Sequence, residues 1–117
     1  MSEVVQYLRV TTSQNLATAG LSYTTSFNCN FRLCQIFLKA STGITETITV
    51  NFVSKDGSNY DVVLDSTSLT NAQNYVFRPT GQCVFMQGDE IKVTCTNANN
   101  TGIVYLTIIA EPYGKQP

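Results

Sequence analysis

From Tyr75 to Pro112 the chain breaks into short apolar-polar runs separated by turn residues, and only an all-β fold accommodates that punctuation. Residues 75–78 and 82–86 are separated by Pro79 and Gly81. Gly88-Asp89 opens a run over 90–96, and the polar segment 97–102 leads into 103–111. No apolar spacing of three or four residues recurs, so no helix is expected in this stretch.

The same reading extends upstream. Strands are predicted over 4–12, 19–27, 31–40, 44–52 and 60–64. The clearest is 44–52, where Ile44, Ile48, Val50 and Phe52 share one face and Thr45, Thr47, Thr49 and Asn51 the other, with Glu46 the single exception on the apolar side. Asp56-Gly57 after it is a type I′ hairpin signal, with Val62 and Leu64 expected to point inward on the return strand. Residues 65–74 read as a loop or a single helical turn. Eight or nine short strands without a convincing helix imply an antiparallel β-sandwich, jelly-roll or immunoglobulin-like, or a small barrel. At 117 residues this is one domain, large enough to bury roughly two-thirds of its unfolded surface. Within it, 1–30 reads as an N-terminal strand or arm segment, 31–112 as the sandwich core and 113–117 as a loose tail.

Two strands look apolar on both faces. In 103–111, Val104, Leu106, Ile108 and Ala110 make one face while Ile103, Tyr105 and Ile109 make the other nearly apolar. In 31–40, Cys34, Ile36, Leu38 and Ala40 oppose a second face carrying Phe31, Leu33 and Phe37. A sandwich strand buries one face on its own core, so a second apolar face is covered either within the fold or by another chain. Phe31, Leu33, Phe37, Ile103, Tyr105 and Ile109 are therefore the candidate subunit contact.

Chemistry is poorly provided for. The chain has no histidine, which removes the commonest general base, the Ser-His-Asp and Cys-His systems and His-containing zinc sites. Asp56, Asp61 and Asp65 flank one hairpin, but they lack calcium-hand spacing and do not suggest two carboxylates facing across a cleft. Cys29, Cys34, Cys83 and Cys95 form no Cys-x-x-Cys pair and read as reduced thiols, Cys34 and Cys95 as small buried hydrophobes. No catalytic, cofactor-binding or metal-binding residue is expected, and no cofactor.

Charged residues are only 13% of the chain, and the formal charge is -1 with seven Lys and Arg. Phosphate backbones are bound by clustered positive charge, so nucleic acid is not an expected partner. No apolar run reaches the ~20 residues that cross a bilayer. The first residues lack a basic region followed by an apolar core, so synthesis in a host cytoplasm without a signal peptide is expected. A surface of Thr, Ser and Asn gives little charge repulsion between copies and suits a protein that packs against neighbours.

Phe77-Arg78-Pro79-Thr80-Gly81, Gln87-Gly88-Asp89-Glu90-Ile91 and the turn from Cys95 through Asn99-Asn100-Thr101 to Gly102 carry a family likeness. With Leu38-Lys39-Ala40-Ser41 and the Thr47-Ile48-Thr49-Val50 strand, they resemble small β-sandwich virion structural proteins of tailed bacteriophages, over roughly residues 31–111. The resemblance implies a non-enzymatic capsid decoration or cement protein, or a small tail or neck component, bound in many copies to the major capsid or other virion proteins. Such proteins are homo-oligomers, often trimers or pentamers, and the N-terminal thirty residues become an arm clasping a neighbour. The likeness rests on turns and strands, so no family site is carried over. The alternative reading is a receptor- or carbohydrate-binding β-sandwich of a tail or fibre. An enzyme working with carboxylates alone is the third.

Overall fold

The computed structural model describes residues 7–114. Nine strands follow one another: β1 (Leu8–Asn15), β2 (Leu21–Thr25), β3 (Phe31–Ile44), β4 (Thr47–Val53), β5 (Val62–Ser68), β6 (Ala72–Phe77), β7 (Val84–Phe85), β8 (Glu90–Cys95) and β9 (Ile103–Pro112). One sheet runs β1-β9-β3-β6, with β7 added against β3, and the other runs β2-β8-β4-β5. All named strand pairs are antiparallel. Sequential strands alternate between the sheets over most of the chain, and the last two strands return to sit beside the first two. That is jelly-roll topology, two interleaved Greek keys. An immunoglobulin-like order, which keeps its first two strands in one sheet, is not formed.

The inner faces interdigitate in a single core. β3 contributes Ile36, Leu38 and Ala40, β9 contributes Val104, Leu106 and Ile108, and β4 and β8 answer with Ile48, Val50, Ile91 and Val93, all at most 2% exposed. At one end Phe31 stacks on Phe85 with centroids 4.8 Å apart, and Phe27 and Phe52 close on the pair at 4.9 and 5.0 Å. Ring pairs of this kind contribute about 0.5–1.5 kcal/mol each beyond the area they bury.

Several sequence expectations change here. Of the strand and arm alternatives for the N-terminal segment, residues 8–15 and 21–25 take the strand one: they pair with β9 and β8 and alternate inward like any sandwich strand. Val4, at the start of the first expected strand, lies outside the described residues. Residues 65–68 extend β5, so the segment expected as loop or helical turn narrows to 69–71 before β6. Tyr113 is tied down, its N–H donating to the Asn30 carbonyl at 3.0 Å and its hydroxyl to Gln82 Oε1 at 2.7 Å. The rest of the expected tail, 115–117, lies outside the described residues.

The β4–β5 connection is longer than a two-residue turn. Gly57 has φ 121 and ψ 164, and a 3-10 turn follows at Ser58–Tyr60. Side chains hold this loop: Ser54 N–H donates to Asp61 Oδ1 at 2.8 Å, Asp56 N–H to Ser54 Oγ at 3.0 Å and Lys55 N–H to Asp89 Oδ1 at 2.9 Å. These bonds satisfy backbone donors that a tight hairpin would pair across the strands. Leu64 is an extra residue in the ladder, since Val50 faces Asp65 and Asn51 faces Val63. Val62 faces Phe52 but starts an edge strand, and it is 52% exposed instead of buried.

Candidate functional site

The carboxylates come first, and the partners of Glu46, Asp89 and Asp65 are structural. Glu46 is the exception in the alternation of β4's approach, and it is buried. Its oxygens accept from Thr96 Oγ at 2.7 Å, Ala98 N at 2.8 Å and Asn99 N at 2.9 Å, which stitches the β8–β9 turn to the second sheet. Burial alone raises its pKa, but the donors from Asn99, Thr96 and Ala98 outweigh that and hold it below the ordinary value. Asp89, also buried, accepts from Lys55 N and from Met86 N. Asp65 accepts from Tyr75 Oη at 2.5 Å and from Thr67 Oγ1 at 2.8 Å, linking the edges of the two sheets. Burial, the hydrogen bond and the Asp65 charge together push the Tyr75 phenol well above its usual range.

All four cysteines are free, and burial pushes Cys95 up to about 11, with Glu46 adding to it. Among the described residues no group of three or more His, Cys, Asp and Glu is placed to hold a metal ion.

What distinguishes the molecule is the outer face of the β1-β9-β3-β6 sheet. Register places Thr11, Thr107, Phe37 and Val76 in one row across the four strands, and Ser13, Tyr105, Lys39 and Asn74 in the next. Ile103 and Ile109 lie on the same face further along β9. Val76 is 48% exposed and Tyr105 51%. Phe37, Val76, Tyr105 and Ile109 thus make an apolar patch over β3, β6 and β9, bordered by Thr11, Ser13, Lys39, Asn74 and Thr107.

Of the six residues expected at a subunit contact, Phe37, Ile103, Tyr105 and Ile109 are brought together on this face. Phe31 and Leu33 are not: they are 0% and 1% exposed, inside the core. The cause is a β-bulge. Leu33 faces Ala110 and Gln35 faces Ile109, so Cys34 is an extra residue that reverses the alternation of β3. Strict alternation put Phe31 and Leu33 on Phe37's side, and the bulge turns them to the other.

The bulge also builds a cleft. Cys34 and Gln35 both face outward, and with Tyr7 and Ile109 they line a concavity of about 600 Å³ that three arginines enter: Arg9 from β1, Arg32 from β3 and Arg78 just after β6. Arg32 is paired with Glu111 directly opposite on β9, its Nε donating at 2.7 Å and its Nη2 closing the pair. Arg78 Nε donates to Gln35 Oε1 at 3.2 Å. Arg9 and Arg78 have no ion pair among the described residues. Three of the chain's seven basic residues thus converge on one cleft, where Glu111 is the single carboxylate paired with them among the described residues. Residues 9, 32 and 78 carry no motif, and only the strand order brings them together.

Comparison of the sequence with known proteins finds no matching family model and no matching curated protein. Among solved structures, the chain is similar to the Drosophila NLP-core, described for pentamer formation and histone binding, at TM-score 0.44 and 15% identity, covering 87% of this chain and 96% of that one. It is similar to a chain of infectious bursal disease virus, Gx strain, at TM-score 0.38 and 11% identity, covering 97% of this chain but only 33% of the viral one. At these values the likenesses carry no functional argument, and the function has to be read from the chain's own surface.

Proposed function

We propose that this chain is a non-enzymatic structural component of a virion, of the tailed-bacteriophage kind its turns resemble, decorating or cementing the particle in many copies. It binds its neighbours, the major capsid or other virion proteins and further copies of itself, through the outer face of the β1-β9-β3-β6 sheet. The observation that carries this reading is the apolar patch of Phe37, Val76, Tyr105 and Ile109 on an otherwise wet sheet face. Contiguous exposed apolar residues rimmed by polar ones mark interaction surfaces, whereas isolated ones do not. Glu46, Asp65 and Asp89, committed to hydrogen bonds, and the buried Cys95 support a role without catalysis.

Mass spectrometry of purified particles tests it: the chain is expected at stoichiometric copy number, and its absence from particles would overturn the reading. The second reading, a receptor- or carbohydrate-binding module of a tail or fibre, is favoured by Tyr7 beside three arginines in the cleft, a combination suited to an acidic sugar. Saturable binding on a glycan array, lost in Arg78→Gln, would select it.

A further inference from the structure

Among the described residues Arg9 and Arg78 of the cleft have no carboxylate partner, and the chain carries an exposed loop with the charge to supply one. Residues 55–63 are all exposed, the longest such run among the described residues. The run holds Asp56 and Asp61 against the single cation Lys55, and beside them Tyr60, Val62 and Val63 at 64%, 52% and 59% exposure. The Asp56 carboxylate makes no ion pair among the described residues, and Asp61 commits only Oδ1, to the Ser54 N–H. The loop is nonetheless fixed, through Asp61, Ser54 and Asp89, so little order remains to be lost when it docks.

The geometry points to a head-to-tail contact between copies of this chain, in which the 55–63 protrusion of one copy enters the Arg9–Arg32–Arg78 cleft of the next. This rests on the reading of the first sheet's outer face as an assembly surface, and it names the occupant of that face's basic end. The complementarity has two parts. Asp56 and Asp61 meet Arg9 and Arg78, whose guanidinium groups accept carboxylates in planar, two-point geometry. Tyr60 and Val62 meet the apolar floor at Ile109 and the neighbouring patch. The protrusion joins β4 to β5 in the second sheet while the cleft lies on the outside of the first, so the two surfaces look different ways on one copy. A contact between two different patches is heterologous, and repeated around an axis it closes a ring.

The test is a charge exchange followed by sedimentation. The wild-type chain is expected to associate with rising concentration and to dissociate with added salt, since exposed charge pairs are screened. Arg9→Glu/Arg78→Glu should lower the association constant by at least about tenfold, as should Asp56→Arg/Asp61→Arg. Mixing the two variants should restore assembly, because each then offers one complementary surface to the other. Arg9→Gln/Arg78→Gln, which adds no like charge, is the milder second variant, and circular dichroism melting checks that every chain is folded. Assembly that survives both exchanges, or wild-type assembly that the mixture fails to recover, overturns the contact. A wild-type chain that stays monomeric at all concentrations also overturns it. If that monomer is still found in particles and the arginine variants are not, the assembly-face reading stands and the occupant is another virion protein. A chain missing from particles altogether overturns the broader reading instead.

Discussion

The two sheets bury similar inner faces and turn opposite characters to the outside. On the β2-β8-β4-β5 sheet the outward residues of β4 and β5 include hydroxyls that answer one another, beside the exposed Val63 at the strand's start: Thr47 Oγ1 lies 3.1 Å from Ser68 Oγ, and Thr49 Oγ1 lies 3.4 Å from Ser66 Oγ. Asn51 Nδ2 donates across to the Lys92 carbonyl at 3.4 Å. That face is hydrogen-bonded within itself and offers water the rest. On the β1-β9-β3-β6 sheet the corresponding positions hold Phe37, Val76 and Tyr105, with arginines at one end. A small sandwich needs only one core, so a polar outer face is what folding alone requires. The apolar one is the extra feature, and it is what the proposed partner surface would explain.

Substitutions can break this contrast at graded cost. The largest effect separates two phenylalanines of one strand. Phe31→Ala should destabilise the fold by about 3–5 kcal/mol, read by urea denaturation, because it empties a fully buried aromatic site. Phe37→Ala should leave stability within about 1 kcal/mol and weaken particle binding instead. Equal losses from the two would refute the assignment of Phe37 to the outer surface. Next, Tyr105→Glu should weaken incorporation into particles by about 2–4 kcal/mol, the cost of charging the centre of an apolar contact, without unfolding the chain. The matched change on the polar sheet, Thr49→Glu, should leave incorporation unaltered.

Glu46→Gln should cost about 1–3 kcal/mol, since Gln cannot accept from all three of Thr96, Ala98 and Asn99. Its pH dependence has a definite sign. The folded-state pKa is depressed, so the stabilisation is complete above the ordinary carboxyl value and is lost as pH falls through the folded one. Denaturation curves at decreasing pH should therefore show a shallower acid decline in the Gln variant, and identical slopes would show that Glu46 is not the titrating group. The smallest effect belongs to the hydroxyl ladder. Thr49→Val should change stability by less than about 0.5 kcal/mol, because an exposed hydroxyl pair exchanges readily with water.

Much of this architecture is legible in the residues. Alternation in Thr47–Val53 and Ile103–Pro112 identifies the strands and their inner faces, and it places Ile103, Tyr105 and Ile109 on a common outer one. The polar turn at 97–102 is plain as well. The sheet order is not, because several pairings satisfy the same alternation, and the cleft depends on that order for all three arginines. Glu46 illustrates a different limit: it breaks a period as a misfit, yet its partners sit fifty residues away, where no local rule looks. The loop at 54–61 escapes a local reading for a similar reason. An Asp-Gly pair announces a tight turn, but Asp61 and Asp89 hold a wider one from outside the dipeptide.

The extra residue at Cys34 has a consequence for what β3 can contain. Along that strand the core takes odd positions before it, Phe31 and Leu33, and even positions after it, Ile36, Leu38 and Ala40. Were the later parity kept throughout, Arg32 would be driven among the aromatic rings, far from Glu111, with a full charge and no partner. The change of parity lets one continuous strand of 14 residues serve the hydrocarbon interior along its length and still deliver a cation to the surface. Deleting Cys34 would therefore leave a regular strand with Leu33 and Ile36 both still inward, whereas deleting a residue from the unbulged stretch 36–40 would exchange the inside and the outside of everything on one side of it.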